Sequence, residues 1–502
     1  MNYVRDSKMK LYLRQLLTAL APLLGVTTSG MGVGYTAILF PQLKALSFNS
    51  SESSSESADH FGALTIDQES WIAAAGVLLV TPGCWIGGFM AEKFGRKTSL
   101  ALLFPVYHVS WLIIGLASNV EALMAGRLLN GFCVGVQASI FPIYVGETSD
   151  PVLRGVLLGA VSLTLSVGIL VCHAMGTWLH WRTTAYICAA LPVISWIIGI
   201  FSRESPMWLL GKGRIEQARS AWIFLRGERS LEEFSLLENT RLAEISVKKT
   251  GRRSMLRSLR KTWSSRYFAR PLVIVSVYFV VMQFAGANVM AFYCVDMLTE
   301  ILDSTYAYLI TLIIDAIRLA GGILACVLLK TCRRRVMTFT SGYGVAVVML
   351  SLSACLTFNI GKPWIPAVLL VTYVGLLPLG LIPVAWLLCG ELFSRKFRGL
   401  GSGLTSGLNF ICMFVVIKTT PAMMEFIKPE GTFAVYGSVA LIGTSVLYFV
   451  LPETMNKTLQ EIQAFFDKEP RMSGMENVAI PLRDYGPSEK SEKLEKELQG
   501  DV

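Results

Sequence analysis

Twelve apolar stretches of close to twenty residues divide this chain, and they limit what it can fold into before any motif is read. They fall at about 15–40, 71–91, 98–118, 122–146, 155–177, 183–202, 272–295, 305–330, 336–358, 364–390, 400–424 and 432–451. A helix of about 20 apolar residues crosses a hydrocarbon core of about 30 Å. Membrane-spanning β-strands need only about 10 residues of alternating character, whereas these runs are continuous. In a helix every backbone polar group is bonded within the segment, as lipid requires. The sequence therefore predicts an all-α membrane protein. Charged residues make up only 16% of the 502, against about 25% in a soluble domain, which excludes a conventional soluble enzyme. No catalytic constellation, cofactor motif or metal-ligand cluster is legible, so no enzyme activity, no cofactor and no metal are expected.

A net charge of +10 would suit a nucleic-acid binder if it were spread over one face. Instead residues 203–270 hold 16 Lys and Arg against 7 acidic residues, nearly the whole excess. Smaller basic clusters fill short gaps between apolar runs: Lys93, Arg96 and Lys97; Arg154; Arg333, Arg334 and Arg335; Arg395, Lys396 and Arg398. Lys and Arg in short loops mark the cytoplasmic side, so the charge reads as topology and the partner as a lipid bilayer, with no nucleic acid. With twelve spans, both termini lie inside. The N-terminal run continues to about Phe40, too far for a cleaved secretory signal, and reads as an uncleaved first span. The ten cysteines lie in or at the ends of apolar runs and give no disulfide framework.

Between the first two spans lies a Ser-rich and acidic segment, predicted outside, where Asn49-Ser50-Ser51 forms a glycosylation sequon. Residues 203–270 separate six spans from six. Ser205-Pro206 is a cap followed by a first-turn proline, and Ser230 with Glu233 forms a capping-box pattern, so short cytoplasmic helices are expected there. The expected order is a cytoplasmic N-terminus (1–14), a six-helix bundle (15–202), a helical linker (203–270), a second bundle (271–452) and a cytoplasmic tail (453–502) without a core.

The bundles repeat one charge pattern. Glu147 is followed by Arg154-Gly155 and Glu391 by Arg398-Gly399, each seven residues on, and the two copies are 244 residues apart. Arg203-Glu204-Ser205-Pro206 leaves the sixth span as Pro452-Glu453-Thr454 leaves the twelfth. Two pseudo-symmetric six-span halves are the layout of a transporter built from repeats.

These motifs carry a resemblance. The stretches "GGFMAEKFGRK" (87–97), "GRLLNGFCVGVQASIFPIYVGETSDPVLRG" (126–155), "RESPMWLLGKGR" (203–214), "QFAGANVMAFY" (283–293), "GELFSRKFRG" (390–399) and "LPETMNKTLQEI" (451–462) resemble those of a sugar porter of the major facilitator superfamily, over about 20–465. The long first external loop and "ESWIAA" (69–74) are most similar to the facilitated trehalose transporter-like branch. The resemblance implies the major facilitator fold and transport of a small-molecule sugar.

The charges predict a gate. Carboxylates of Glu147 and Glu391 at span ends would meet guanidinium groups of Arg96, Arg154, Arg333, Arg334 and Arg398, with Lys97 beside them, as a latch that closes the cytoplasmic side. Cys332 stands where the resemblance leads one to expect a glycine before the basic pair, and Leu329 where a glutamate is usual, which predicts a weaker second copy. The bland alternative is that these charges only set topology.

For the sugar, hydroxyl-binding amides and aromatic faces are sought near a break in a span. Span seven offers Gln283, Gly286, Asn288, Phe292 and Tyr293. Resemblance to glucose facilitators implies sugar contacts at Gln283, Asn288, Trp386 and Asn409. It also exposes departures: Met282, Ser162, Ile317 and Pro378 stand where four polar ligands are expected. Ser162 and Tyr293 remain candidate wall residues, Tyr293 equally a core-packing one, and His173 is either a replacement donor or a packed and satisfied helix partner. Gly380 and Pro383 should loosen span ten. Proton-linked relatives carry an aspartate after the Gly-Tyr of span one, but Gly34-Tyr35 is followed here by Thr36, which favours downhill transport. Asp315 and Arg318 lie three apart inside span eight; a structural pair is one reading and a proton relay the other. A proton-coupled symporter and a non-transporting sugar sensor are the alternatives to a facilitator.

Overall fold

The computed structural model describes residues 8–50, 64–238, 263, 265–299, 304–358, 364–393, 398–455, 457 and 461–462. Of residues 46–50, 151–152, 229, 304–305 and 398 it describes the backbone alone. Asn49 and Arg398 belong to that last group. Arg395 and Lys396 lie outside the described residues.

Every described element is helical, and twelve helices are long and apolar enough to cross a membrane. Spans one to six are Lys8–Ala45, Ile66–Phe94, Arg96–Leu116, Val120–Thr148, Leu153–Trp178 and Trp181–Phe201. Spans seven to twelve are Arg266–Thr299, Tyr306–Thr331, Arg334–Thr357, Trp364–Glu391, Gly399–Phe426 and Lys428–Val450. Large apolar side chains such as Phe89, Ile197 and Phe449 remain exposed on their outer faces, as a lipid-facing surface requires.

The packing follows the sequence repeat. Spans three and six pack as nine and twelve do, one and five as seven and eleven, two and four as eight and ten. Two bundles result, joined where span two meets span eleven, span five meets span eight, and span one meets the second part of span seven. Glycines permit the tightest crossings: a β-carbon on Gly30 would lie 2.1 Å from Leu165 O, and one on Gly168 2.1 Å from Thr27 O, so spans one and five touch backbone to backbone.

Spans seven and ten break. The first helix of span seven ends at Phe284, Gly286 turns the chain with φ +81°, and helix resumes at Val289–Thr299. Tyr373 OH caps the exposed Ala285 carbonyl at 3.0 Å. Span ten tightens to a 3-10 turn over Leu377–Leu379 and restarts after Gly380, whose added β-carbon would stand 2.0 Å from Met337 O. Gly380 thus has a packing reason as well as the loosening expected of it.

Short helices follow span six. Ser205 Oγ accepts from Trp208 N with Pro206 in the first turn, as the pattern predicts, and Ile215–Arg226 follows. Leu209, Leu210, Trp222 and Phe234 form a small core between them. The predicted capping box at Ser230 does not form. Ser230 Oγ donates to Gly227 O and accepts the Trp222 indole N–H at 2.9 Å, while Glu233 turns to Arg226 at 3.1 Å. These helices dock on the first half alone: Arg226 pairs with Asp150 at 3.2 Å, and Gln15 donates to Leu225 O at 2.9 Å.

Candidate functional site

Three amides meet at the break of span seven. Gln283 Nε2 donates to Asn409 Oδ1 of span eleven at 2.8 Å, and Asn288 Nδ2 donates to Gln283 Oε1 at 3.0 Å. Gln283 and Asn409 are buried. Two bonds join the three amides in an open chain that leaves the Asn409 NH2 and the Asn288 Oδ1 unused within the trio, so it has donors and an acceptor to offer a ligand's hydroxyls. Beside it Trp386 packs edge-on against Phe279 at 5.1 Å and lies 6.2 Å from Phe410, the neighbour of Asn409. Trp386 is 43% exposed, whereas Phe279 is buried. Amides with an indole ring on a neighbouring span are groups of the kind that suit a pyranose ring.

The remaining predicted pocket residues lie elsewhere. Tyr293 is buried, stacks on Phe40 of span one at 6.1 Å, and donates to Ile417 O at 3.0 Å, so it seals spans one, seven and eleven and does not face the amides. Ser162 is exposed and bonds only its own helix, at Gly159 O. His173 is buried against Asp315 of span eight, with Nδ1 2.5 Å from Oδ2. Asp315 also takes Arg318 at 3.2 Å, so the pair expected within span eight is present and has a third member in the other half.

At the basic end, which carries the short basic loops, each half builds the same cluster. In the first, Arg96 pairs with Glu147 at 2.9 Å and donates to Ala91 O, while Ser205 Oγ donates to Glu147 at 2.5 Å. Glu204 accepts the backbone N–H groups of Arg96 and Lys97 at 2.9 and 3.1 Å, capping the start of span three. In the second, Arg334 reaches Glu391 at 3.5 Å and Leu329 O at 2.5 Å, and Thr454 Oγ1 donates to Glu391 at 2.6 Å. Glu453 accepts the N–H groups of Arg334 and Arg335 at 3.0 and 3.1 Å. Burial alone would push the Glu453 carboxyl up, but the N–H groups of Met455, Arg335, Arg334 and Thr454 outweigh it and hold it below the usual range.

Of the contacts expected of the latch, those of Arg96 with Glu147 and of Arg334 with Glu391 form, each within its own half, so in this structure the clusters brace each half; the Arg398 side chain lies outside the described residues. Arg154 turns to Ser149 O at 3.3 Å, Arg333 is an exposed N-cap, and Lys97 Nζ donates to Ile200 O. The register also shifts by one: the second basic pair is Arg334 and Arg335, and Arg333, with φ −63°, takes the place of Gly95. Glu204 and Glu453 do as much as the predicted carboxylates, and the matched Glu-Ser and Glu-Thr exits were the sequence signal for them. A shallow hollow at this end, lined by Lys97, Arg203, Glu204 and Glu216, lies away from the amides.

Pairs that bind half to half stand at the opposite end. Lys44 of span one lies 3.2 Å from both Asp296 of span seven and Glu69 of span two. Lys418 of span eleven lies 2.6 Å from Asp67 and 2.7 Å from Ser70 of span two, over the Trp71 ring. Deeper in the seam, Thr81 donates to Gly407 O at 3.1 Å. Sequence reading missed these pairs because nothing in the spacing of single charges at span ends reveals a partner hundreds of residues away.

A family model described as "Sugar (and other) transporter" matches residues 17–466. The chain belongs to this family. Among curated relatives, the "Facilitated trehalose transporter Tret1" of Drosophila virilis is 30% identical over 92% of this chain and 50% of its own length. That of Polypedilum vanderplanki is 28% identical over 92% of this chain and 90% of its own. The chain thus spans about half the length of some curated relatives and most of another. The inward open conformation of the xylose transporter XylE from E. coli matches with a TM-score of 0.72 at 19% identity, over 89% of this chain and 98% of that one. XylE bound to 6-bromo-6-deoxy-D-glucose, described as a proton:xylose symporter, gives 0.70 at 20% identity, over 92% and 100%. At these identities the two structures establish the fold alone: twelve spans in two halves of the major facilitator type.

Proposed function

We propose that this protein is a facilitative carrier that moves a sugar, trehalose or a hexose, across the plasma membrane by alternating access. The observation that carries the reading is the amide trio at the break of span seven, in a chain folded as two pseudo-symmetric bundles. Family membership and the names of its relatives agree with it. With the basic loops in the cytoplasm, both termini are inside and the Lys44 and Lys418 pairs close the outer side. Downhill transport is favoured by span one, where Thr36 is buried and its hydroxyl bonds Val33 O of the same helix, so no carboxylate stands ready to exchange a proton there. Asn49 is proposed as a glycan site of the outer loop, to be read as a mobility shift on glycosidase treatment.

The test is uptake of labelled trehalose and hexoses into vesicles containing the purified chain, with and without an imposed pH gradient. A facilitator equilibrates one of these sugars and never concentrates it. Accumulation driven by the gradient would replace this reading with symport, and no uptake of any sugar together with saturable sugar binding would make the chain a sensor.

A further inference from the structure

Where spans five and eight meet, the two halves share a buried ionisable cluster that makes no bond to the amide trio. His173 and Asp315 are each 1% exposed. Asp315 gives one oxygen to His173 of the first half and the other to Arg318 of its own span. The carboxylate and the guanidinium balance in charge, so a neutral imidazole with its proton on Nδ1 completes the cluster by donating to Asp315.

The second imidazole nitrogen has no such place. His173 Nε2 has no hydrogen-bond partner and faces Gly34 of span one so closely that an added β-carbon there would sit 3.1 Å away. A proton on Nε2 would leave a buried N–H without an acceptor and set a second positive charge beside a carboxylate that Arg318 already neutralises. The surroundings do not offset that cost. Arg127 of span four is buried and bonds the backbone of Gly32, adding positive charge. Among the described residues, the other titratable groups interacting with this cluster include the thiols of Cys172, Cys188 and Cys294 on spans five, six and seven, and the Tyr35 phenol on span one.

Position gives the cluster a consequence. His173 lies near the Trp178 end of span five, on the side where Lys44 and Lys418 tie the halves. We propose that His173 and Asp315 form a proton-controlled clasp: neutral His173 holds the halves closed on this side, and a proton at Nε2 favours the arrangement in which spans five and eight part. The opened arrangement binds one proton more, so the ratio of opened to closed rises by up to about tenfold for each unit fall in pH. The proton regulates the opening and drives no transport.

Hydrogen–deuterium exchange of the purified full-length chain in nanodiscs tests the clasp without sugar, so its outcome is separate from the question of the carried substrate. Exchange in peptides covering 169–178 and 304–318 is divided by that of span-three peptides, which cancels the intrinsic pH effect. From about pH 7.5 to about pH 5.5 the wild-type ratio should rise by about tenfold or more. His173→Gln keeps a donor for Asp315 but cannot take the proton, and its ratio should be flat. The chain has four histidines, so the H60Q/H108Q/H180Q variant leaves His173 as the sole one and should respond as the wild type does. A flat wild-type ratio, an H173Q protein that responds like the wild type, or a flat triple variant would each overturn the proposal.

Discussion

At the Lys44 and Lys418 end, charged side chains reach from one half of the molecule to the other; at the basic end, Arg96 and Arg334 reach only across helices of their own half. The difference separates two tasks. The basic-end clusters tie the ends of spans two, three, four and six, or of eight, nine, ten and twelve, into one body, and helix starts capped by Glu204 and Glu453 make those bodies rigid. The opposite-end pairs are few, partly exposed and easily replaced by water. The proposed rocking would need this division, because states within a few kcal/mol of one another must differ in contacts that are cheap to exchange while the moving parts stay intact.

The comparison breaks most visibly at Glu147. Arg96→Glu should cost about 2–4 kcal/mol of stability, since it leaves a partly buried carboxylate facing another, and the R96E/E147R double swap should recover part of it. Melting of the purified protein reads this. A single variant that melts like the wild type would mean that the clusters do not brace the halves. Next in size, Gln283→Ala strands the amides of Asn409 and Asn288, and should raise the half-saturation concentration for sugar about tenfold while costing about 1–3 kcal/mol of stability. Unchanged kinetics would place the sugar elsewhere. Lys44→Ala or Lys418→Ala should each shift the balance of states by only about 0.5–1 kcal/mol, seen as faster hydrogen exchange at the Asp67 end of span two and the Lys418 end of span eleven with an unchanged melt. A large loss of melting temperature would make these pairs structural and erase the contrast. The smallest effect is that of salt. At about 1 M the Debye length falls to about 3 Å, so the exposed outer pairs should weaken while the basic-end clusters hold.

The fold was legible because its signals are local and long: twelve apolar runs specify helices, and the charges repeated 244 residues apart specify two halves. Gln283, Asn288 and Asn409 were reached through resemblance, and they do meet. What the sequence did not reveal depends on rotation about a helix axis and on partners far along the chain. Five residues separate Asn288 from Tyr293, yet the turn at Gly286 sends one to the amides and the other to Phe40. Of the two readings of His173, the packed helix partner is the one the structure shows, but nothing in span five names that partner, Asp315, 142 residues on. Arg333 and Arg334 could not be told apart from spacing; only the carboxylate of Glu453, which takes the N–H of Arg334, sets the register.

The two basic-end clusters also carry a record of descent. Arginine, glutamate, capping glutamate and hydroxyl recur in the same bonds, down to the carbonyl five residues before each arginine, at Ala91 and Leu329. One copy closes at 2.9 Å and the other at 3.5 Å. A duplicated ancestor has therefore left the protein with an internal control: any change made in one half has a twin in the other, in the same membrane and the same molecule, against which its effect can be measured.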